Sequence, residues 1–460
     1  MAGGVYLLMR QTAGVMITGV GLLVLIKIIG ATSYGTFAAA NALYLYVHGT
    51  ALLGIDVFLL RATTLDDDQL NVAATVLLVL GVLGAVLAVA ALPIASYWVA
   101  IEGIDQLALA QFGILPVSLM GYVPRALLER ELRFRTTATI DLVGMSLCQL
   151  TALVSAGMGH GAWALVWGLL AQQLLVSVLL FRSAAYRYRP RWNMTQVRSI
   201  LRFGVGYCVA NWIWQAKTLV NPLIVGRFGG AEAVAFVALA VRGVSVLTIV
   251  AGTTWRLSIA TMRHVNHDAS RMARAVTEAM ELQVLAAGPM LVVAGLAAPV
   301  LLPLLYGRTW LPVLDIFPFV ALAALVNVVF SIHSSALFAA QKNGAVGLFH
   351  AVHLLLLATA AGLLVPQLGP VGYGVAELIA VGSYPVIHYG FVRTFRSPDY
   401  RLAFLWCAAF GLAPFWHQLG WLSLIGPALL MCHPRTRRVV AGHGTMLATS
   451  WTGARLGTAA

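Results

Sequence analysis

The sequence predicts an all-α polytopic membrane protein of about fourteen transmembrane helices, arranged as two parallel six-helix repeats followed by a C-terminal hairpin. Three observations lead there. Of 460 residues, 60% are hydrophobic and only 10% charged, with mean hydropathy +0.87, whereas a soluble domain carries about 25% charged residues. Apolar runs near the roughly 20 residues that a helix needs to cross the hydrocarbon core recur almost end to end. The two halves of the chain also match weakly at an offset of about 200 residues.

The first six runs lie at about 7–29, 37–60, 72–98, 107–127, 138–157 and 161–181. In the first, Arg10 precedes an apolar stretch that continues past Thr12 and Thr18 to Lys27 and Ile29, with no small-residue cleavage site, so a retained helix is expected rather than a signal peptide. A basic segment, 182–202, mixes arginines with Tyr186, Tyr188, Trp192 and Ile200 and reads as a surface connector, either against anionic headgroups or simply solvated. Six more runs follow at 203–226, 233–254, 280–305, 312–340, 346–366 and 371–392. The stretch 402–432 is too long for one upright helix, and Pro414, His417, Gln418 and Gly420 near its middle suggest two short helices with a tight turn. The expected organisation is 1–190 as an N-lobe, 191–202 as a cytoplasmic basic linker, 203–395 as a C-lobe, and 396–460 as the hairpin with a basic tail.

The net charge of +13 invites a nucleic-acid reading until the basic residues are placed. Alternating sides from Arg10 puts 24 of the 29 Lys and Arg on one face, among them Arg61, Arg125, Arg130, Arg256, Arg263, Arg435, Arg437, Arg438 and Arg455. Only Lys27, Arg227 and Arg308 fall on the other. The positive-inside rule then places both termini in the cytoplasm, favours an even number of spans and leaves no charge to be explained by nucleic acid. The four cysteines, Cys148, Cys208, Cys407 and Cys432, sit in apolar runs and suggest neither a disulfide framework nor a thiolate metal cage.

The internal match is carried by Gly30–Ala31 through Ala40 against Gly230–Ala231 through Ala240, offset 200. Arg125–Arg133 (RALLERELR) echoes Ser335–Asn343 (SALFAAQKN) at offset 210, and Gly161 falls opposite Gly372 at about 211. Six spans per unit is even, so both units enter from the same side, the parallel-repeat arrangement of some transporters. A duplicated bundle serving only as anchor or assembly platform is the bland alternative.

The stretches GATSYGTFAAANAL, GIDVFLLRAT, RALLERELRFRTTATIDL, MGHGAWALVWG and LYGRTWLPVLDIFPFVALAALVNVVFSIHSSALFAAQKN, in this order over about residues 1–395, resemble the Wzx-type polysaccharide-unit flippases. These belong to the multidrug/oligosaccharidyl-lipid/polysaccharide exporter superfamily, with the MATE drug exporters and the lipid II flippase MurJ as cousins. Thr253–Thr261 lacks the proline many relatives carry, and the region after 400 matches nothing firmly. The resemblance implies two six-helix lobes in a V and a central cavity near the first, second, seventh and eighth helices. It also implies transport of a lipid-linked oligosaccharide, on a polyprenyl phosphate or pyrophosphate, across the bacterial inner membrane for exopolysaccharide, capsule or O-antigen assembly, without enzymatic chemistry or a cofactor.

Such a cargo needs a polar, cationic cavity, and ionisable residues inside a membrane are functional candidates by default. Two cations fall within spans, Lys217 and Arg242, and are expected to bind the lipid phosphate; snorkelling or a helix-to-helix bond is the plainer role, better suited to Lys217. Asn211, Gln215 and Thr218 share a polar stripe with Asn221 and Trp214 adjoining, Ser245 lies beside Arg242, Asn41, Tyr44 and His48 share a face, and the tenth span adds Asn327, Ser331 and Ser334. Glu377 and Asp56 are ion-coupling candidates for a proton or sodium gradient. Either alternatively neutralises Arg242 or Lys217, and Asp56 is better read as pairing with Arg61 or its helix neighbours. His264, His267 and Asp268 have HxxHD spacing and His350 with His353 share a helical face, but neither pair has a third ligand in sequence, so loop solvation and bundle hydrogen bonds explain them and no metal is expected. The acids Asp66, Asp67 and Asp68 read as a solvated charge run, and no GK[ST] phosphate loop is present. The competing classes are an ion-coupled small-molecule exporter, which the cationic spans disfavour, and a membrane polymerase or its assembly partner, for which no long external loop is found. A polymerase and chain-length machinery are the expected protein partners.

Overall fold

The computed structural model describes residues 2–62, 65–248, 268–432 and 436. His264, His267, Thr253–Thr261, Arg256, Arg263 and the tail arginines Arg435, Arg437, Arg438 and Arg455 lie outside the described residues. Those described form an all-helical bundle with no strand among them. Eleven segments are long and apolar enough to span a membrane. The expected fourteen are therefore not seen as fourteen separate helices, and the physical reason is that helices run on through glycine breaks.

Helix α1 (Ala2–Ala51) is interrupted at Gly30, φ 78° and ψ 173°, a conformation open essentially to glycine alone. After α2 (Ile55–Arg61) comes α3 (Asp67–Val99), whose start is a capping box: Asp66 Oδ1 accepts from the Gln69 N–H at 2.6 Å while the Gln69 side chain accepts from the Asp66 N–H. The acidic run thus begins as a helix cap. The next span is built of α4 (Ile104–Gly113), α5 (Leu115–Met120) and α6 (Tyr122–Arg130), followed by α7 (Phe134–Gly157) and α8 (Trp163–Ser183). Residues 184–193 are non-helical and lie against the start of α3: Asn71 Oδ1 accepts from the Tyr186 hydroxyl and the Arg189 N–H, both at 2.9 Å, and Thr75 meets Tyr188 at 3.1 Å.

Asn193 then caps α9 (Met194–Ala216), which leads through a 3₁₀ turn (Lys217–Leu219) and a π turn (Asn221–Val225) into α10 (Gly226–Leu247), itself broken at Gly230, φ 69° and ψ −169°. Asp268 caps α11 (Ala269–Leu305), and the Arg271 and Ser270 N–H groups hold its carboxyl below the usual carboxylate value. The second lobe continues with α12 (Val313–Ala339), α13 (Asn343–Leu368), α14 (Val371–Ala380) and α15 (Tyr384–Val392). At the end α16 (Arg401–Leu412), α17 (Trp416–Leu419) and α18 (Ile425–Cys432) form a hairpin, with Gly420 at φ 69° in the turn and Gly426 packed on Ala409.

The duplication is visible in the backbone. Gly30 and Gly230 break their helices alike at offset 200. Leu132 (φ 56°) and Gln341 (φ 59°) end their helices alike, each followed by an N–H that reaches back five residues, Arg133 to Leu128 and Lys342 to Leu337. That pairing has offset 209, so the sequence register of 210 between RALLERELR and SALFAAQKN is one residue out; the geometry pairs Leu128 with Leu337. The left-handed Gly159 and Gly369 mark the next turn at offset 210.

The two lobes meet where the repeats begin. A methyl at Gly35 would strike the Ala231 carbonyl and crowd the Ala235 amide, and the Thr32 hydroxyl reaches Glu232 at 3.4 Å. A residue touching its own repeat counterpart is what a two-fold axis requires, and the small residues there let α1 and α10 approach closely. Trp310 closes over this corner against Tyr34 at 6.0 Å and Phe236 at 5.6 Å. Elsewhere the bundle exposes aliphatic rows, Val82, Leu83, Val86 and Leu87 on α3 and Val300 and Leu304 on α11, which water would not tolerate and lipid does.

Candidate functional site

In the second lobe the helices that should be continuous are not. The chain leaves α-geometry at Lys217, tightens into a 3₁₀ turn, then widens into the π turn that contains Pro222, whose missing N–H a regular helix could not accommodate. Facing it, α14 gives way to a second 3₁₀ turn at Val381–Ser383. Between these irregular stretches and α10, α12 and α13 lies a cavity of about 490 Å³.

Its wall carries Lys217 and Glu377, the only lysine, arginine or acid among the described lining residues. They form an ion pair, Nζ to Oε2 2.8 Å, with the Lys217 side chain 22% and the Glu377 side chain 6% exposed. The Tyr373 hydroxyl donates to the other carboxylate oxygen at 2.8 Å. A buried carboxylate is tolerable only when its charge and lone pairs are met, and here both oxygens are. The ammonium also stands 5.4 Å from the centroid of Trp214, a cation–π distance.

Behind Trp214 stand two buried histidines. His350 Nδ1 lies 2.8 Å from the Ala210 carbonyl and His353 Nδ1 3.0 Å from Ser383 Oγ, so bundle hydrogen bonds account for this pair. His353 lines the cavity, is 2% exposed, and its Nε2 has no hydrogen-bond partner. Gln215, Thr218, Ser245, Asn327 and Ser331 complete the polar lining, and Ser331 is steadied by Gln283 at 3.2 Å. Gln215 also lies against Gly49, where any side chain would displace it.

The structure thus gathers Lys217, Gln215 and Glu377 with Trp214, Thr218, Ser245, Asn327 and Ser331, and leaves Arg242, Asn211, Asn221, Asn41, His48 and Asp56 apart. Arg242 is exposed on α10 between lining residues Val241 and Val244 but does not line the cavity. Asn211 is exposed on α9, and Asn221 spends its amide on the Val234 carbonyl at 3.2 Å. Asn41 is half-buried on α1, and His48 packs between Tyr44 at 5.6 Å and Tyr122 at 5.9 Å in the first lobe. Asp56 sits in the first turn of α2, where burial pushes its carboxyl above the usual range against the opposing pull of the Val57 N–H and its own; no ion pair with Arg61 forms among the described residues. Trp214, His353 and Tyr373 were missed as a group, because the segments that bring them together are some 140 residues apart. The cysteines are all free.

Paired helical lobes, repeated in register about one axis and holding a polar cavity among membrane-spanning helices, define the class of multi-pass membrane proteins built as two bundles. Within it, the chain belongs to a family described as polysaccharide biosynthesis protein, whose model matches residues 24–315. It is similar to the succinoglycan biosynthesis transport protein ExoT of Rhizobium meliloti (strain 1021), 28% identical over 208 residues, 43% of this chain and 40% of that protein, so the match spans well under half of the curated relative. Among solved structures it resembles the lipid II flippase MurJ in an inward closed conformation, TM-score 0.72 at 11% identity, covering 98% of this chain and 99% of that one. It also resembles an outward-facing MATE family multidrug resistance transporter of the MOP superfamily, TM-score 0.52 at 16% identity over 85% of this chain and 94% of that one. At these identities the likeness shows the fold, which is that of MurJ and the MATE transporters.

Proposed function

We propose that the chain is a Wzx-type flippase that moves a lipid-linked oligosaccharide, on a polyprenyl phosphate or pyrophosphate, from the inner to the outer leaflet of a bacterial inner membrane. The observation that carries this reading is the polar cavity at Lys217, Glu377 and Trp214, enclosed by spanning helices, in a chain of a polysaccharide biosynthesis family. Hydrocarbon offers a sugar block no path, so a wall of hydroxyls, amides and aromatic rings inside the membrane supplies one. The names of the relatives agree: one is a transport protein of succinoglycan biosynthesis, another a lipid II flippase. In this scheme both termini are cytoplasmic, no covalent bond changes, and a polymerase with its chain-length machinery takes the unit on the far side.

The ion pair redistributes the roles. Lys217 is held by Glu377, so the task of meeting the lipid phosphate falls first to Arg242, exposed on α10 beside the cavity wall. Glu377 remains the residue on which a proton gradient acts, because protonating it frees Lys217; Asp56 is the second candidate, for a proton or sodium.

The test is a deletion strain probed with a membrane-impermeant glycan reagent on intact spheroplasts. Complete lipid-linked units trapped on the cytoplasmic side, with wild-type but not Arg242→Ala complementation restoring transfer, is the expected result. Units that still reach the outer face would remove the reading in favour of polymerisation, assembly or export of another solute.

A further inference from the structure

The cavity of the second lobe is larger than an ion needs, and Lys217, the only cation among its described lining residues, is already neutralised. A site for a bare metal cation closes oxygens around it at about 2.0–2.6 Å; about 490 Å³ lies instead in the range of small-molecule pockets. The position a coupling cation would take beside Glu377 is filled by the tethered ammonium of Lys217 at 2.8 Å. Trp214 and Tyr384 give the cavity aromatic surface, while Asn327 and Ser331 offer it an amide and a hydroxyl. His353 supplies the pointer to a ligand. Its Nδ1 is engaged by Ser383, and Nε2 of this cavity-lining residue is buried without a hydrogen-bond partner among the described residues. An unmet buried polar atom costs about 1–3 kcal/mol, which a ligand hydroxyl at Nε2 would recover.

We propose that this cavity is a subsite for one uncharged pyranose ring of the transported unit, with the ring's apolar face on Trp214 and a hydroxyl on His353 Nε2. The inference rests on the flippase reading and deepens it by naming the sugar class. An aromatic wall suits the C–H face of a sugar, and hydroxyls suit the polar rim. Among the described lining residues Lys217 and Glu377 cancel one another, so these residues supply no net charge to hold a carboxylated sugar, whose anion would have to be stripped of water there.

Saturation-transfer NMR on the full chain in lipid nanodiscs, prepared free of glycoside detergent, tests this with methyl β-glucopyranoside and glucuronate as probes. Millimolar binding of the neutral glycoside, about tenfold weaker binding of glucuronate, and a loss of about tenfold in His353→Leu are expected. His353→Gln, which keeps an acceptor at this position, should bind within about threefold of the parent and serves if the leucine variant fails to fold. Equal binding of glucuronate, unchanged binding in the folded leucine variant, or displacement of the glycoside by sodium chloride would each overturn the subsite, the last in favour of a cation site. Absence of glycoside binding while spheroplasts still transfer the unit removes the subsite alone. Binding retained in a chain that transfers nothing removes the flippase reading instead.

Discussion

The pairing of Lys217 with Glu377 predicts an asymmetric response to its removal. Lys217→Met leaves Glu377, with only 6% of its side chain exposed, without a counter-charge. A buried carboxylate in that position takes a proton instead, which limits the cost. Neutralising a glutamate of ordinary pKa about 4.3 at pH 7 requires about 2.7 units at 1.36 kcal/mol each, or about 3.7 kcal/mol. Glu377→Gln costs less, about 1–2 kcal/mol, because Lys217 keeps 22% of its side chain exposed, retains Trp214, and can donate to the new amide oxygen. Removing both charges together leaves no orphan, so the double variant should lie nearer the parent than Lys217→Met does. The pH dependence carries a sign. In Lys217→Met the native glutamate holds its proton where the unfolded one has lost it, so stability is complete below about pH 4.3 and falls as pH rises; at pH 5 the deficit shrinks to about 1 kcal/mol. Glu377→Gln shows no such recovery in acid. Equilibrium unfolding of the purified chain in mixed micelles, followed by tryptophan fluorescence at pH 5 and 7, reads all three variants. Additive single effects in the double variant, or a Lys217→Met deficit independent of pH, would refute the coupling.

Three further outcomes follow from the packing. Gly35→Val forces α1 from the Ala231 carbonyl at a cost of about 1–3 kcal/mol, and should abolish the disulfide that the Thr32→Cys, Glu232→Cys pair otherwise forms on oxidation. Asn71→Leu removes the acceptor for Tyr186 and Arg189 and should speed tryptic cleavage at Arg187, whereas Asn71→Asp, which keeps that oxygen, should not. Arg125 holds Asp141 by a two-pronged contact at 2.5 and 3.1 Å; Arg125→Lys loses the fork and should cost about 1–2 kcal/mol in the same unfolding measurement.

Much of this architecture is legible in the sequence because lipid imposes it. Apolar length gives the spans, and Gly30 and Gly230 declare the repeat because no other residue adopts their conformation at low cost. Pro414 and Gly420 announce the hairpin for similar reasons. What stays hidden depends on distance along the chain. The sequence offers Glu377 as a partner for Lys217 or Arg242, but nothing local says that Lys217, 160 residues away, is the one at 2.8 Å, and helical periodicity groups Lys217 with Asn211 and Asn221 instead. Nor does it show that a helix will yield to 3₁₀ and π turns at Lys217–Val225, which rotates Asn221 out of the polar stripe and onto the Val234 carbonyl. The one-residue difference between offsets 209 and 210 has the same origin, since Ala and Leu recur too often for sequence alone to set the register.

The repeat does not carry the Lys217–Glu377 pair into both lobes. At offset 200, Lys217 falls opposite Ile17 and Trp214 opposite Gly14; at the 210 of the preceding turn, Glu377 falls opposite Trp167. The first lobe therefore carries the same breaks at its corners but no counterpart of the Lys217–Glu377 pair, and α8 runs unbroken where α14 gives way at Val381–Ser383. Two-fold symmetry suffices to make lobes that pack against each other at Gly35 and Ala231. It does not place polar groups in the membrane, which are costly wherever they are unmatched. Placement in the same lobe lets Lys217, Glu377 and Tyr373 satisfy one another without a partner across the axis. All of these contacts lie within the second lobe. A cross-axis ion pair would instead tie one lobe to the other, and parting its members would expose a buried charge at about 3–5 kcal/mol, a penalty that an intra-lobe pair avoids.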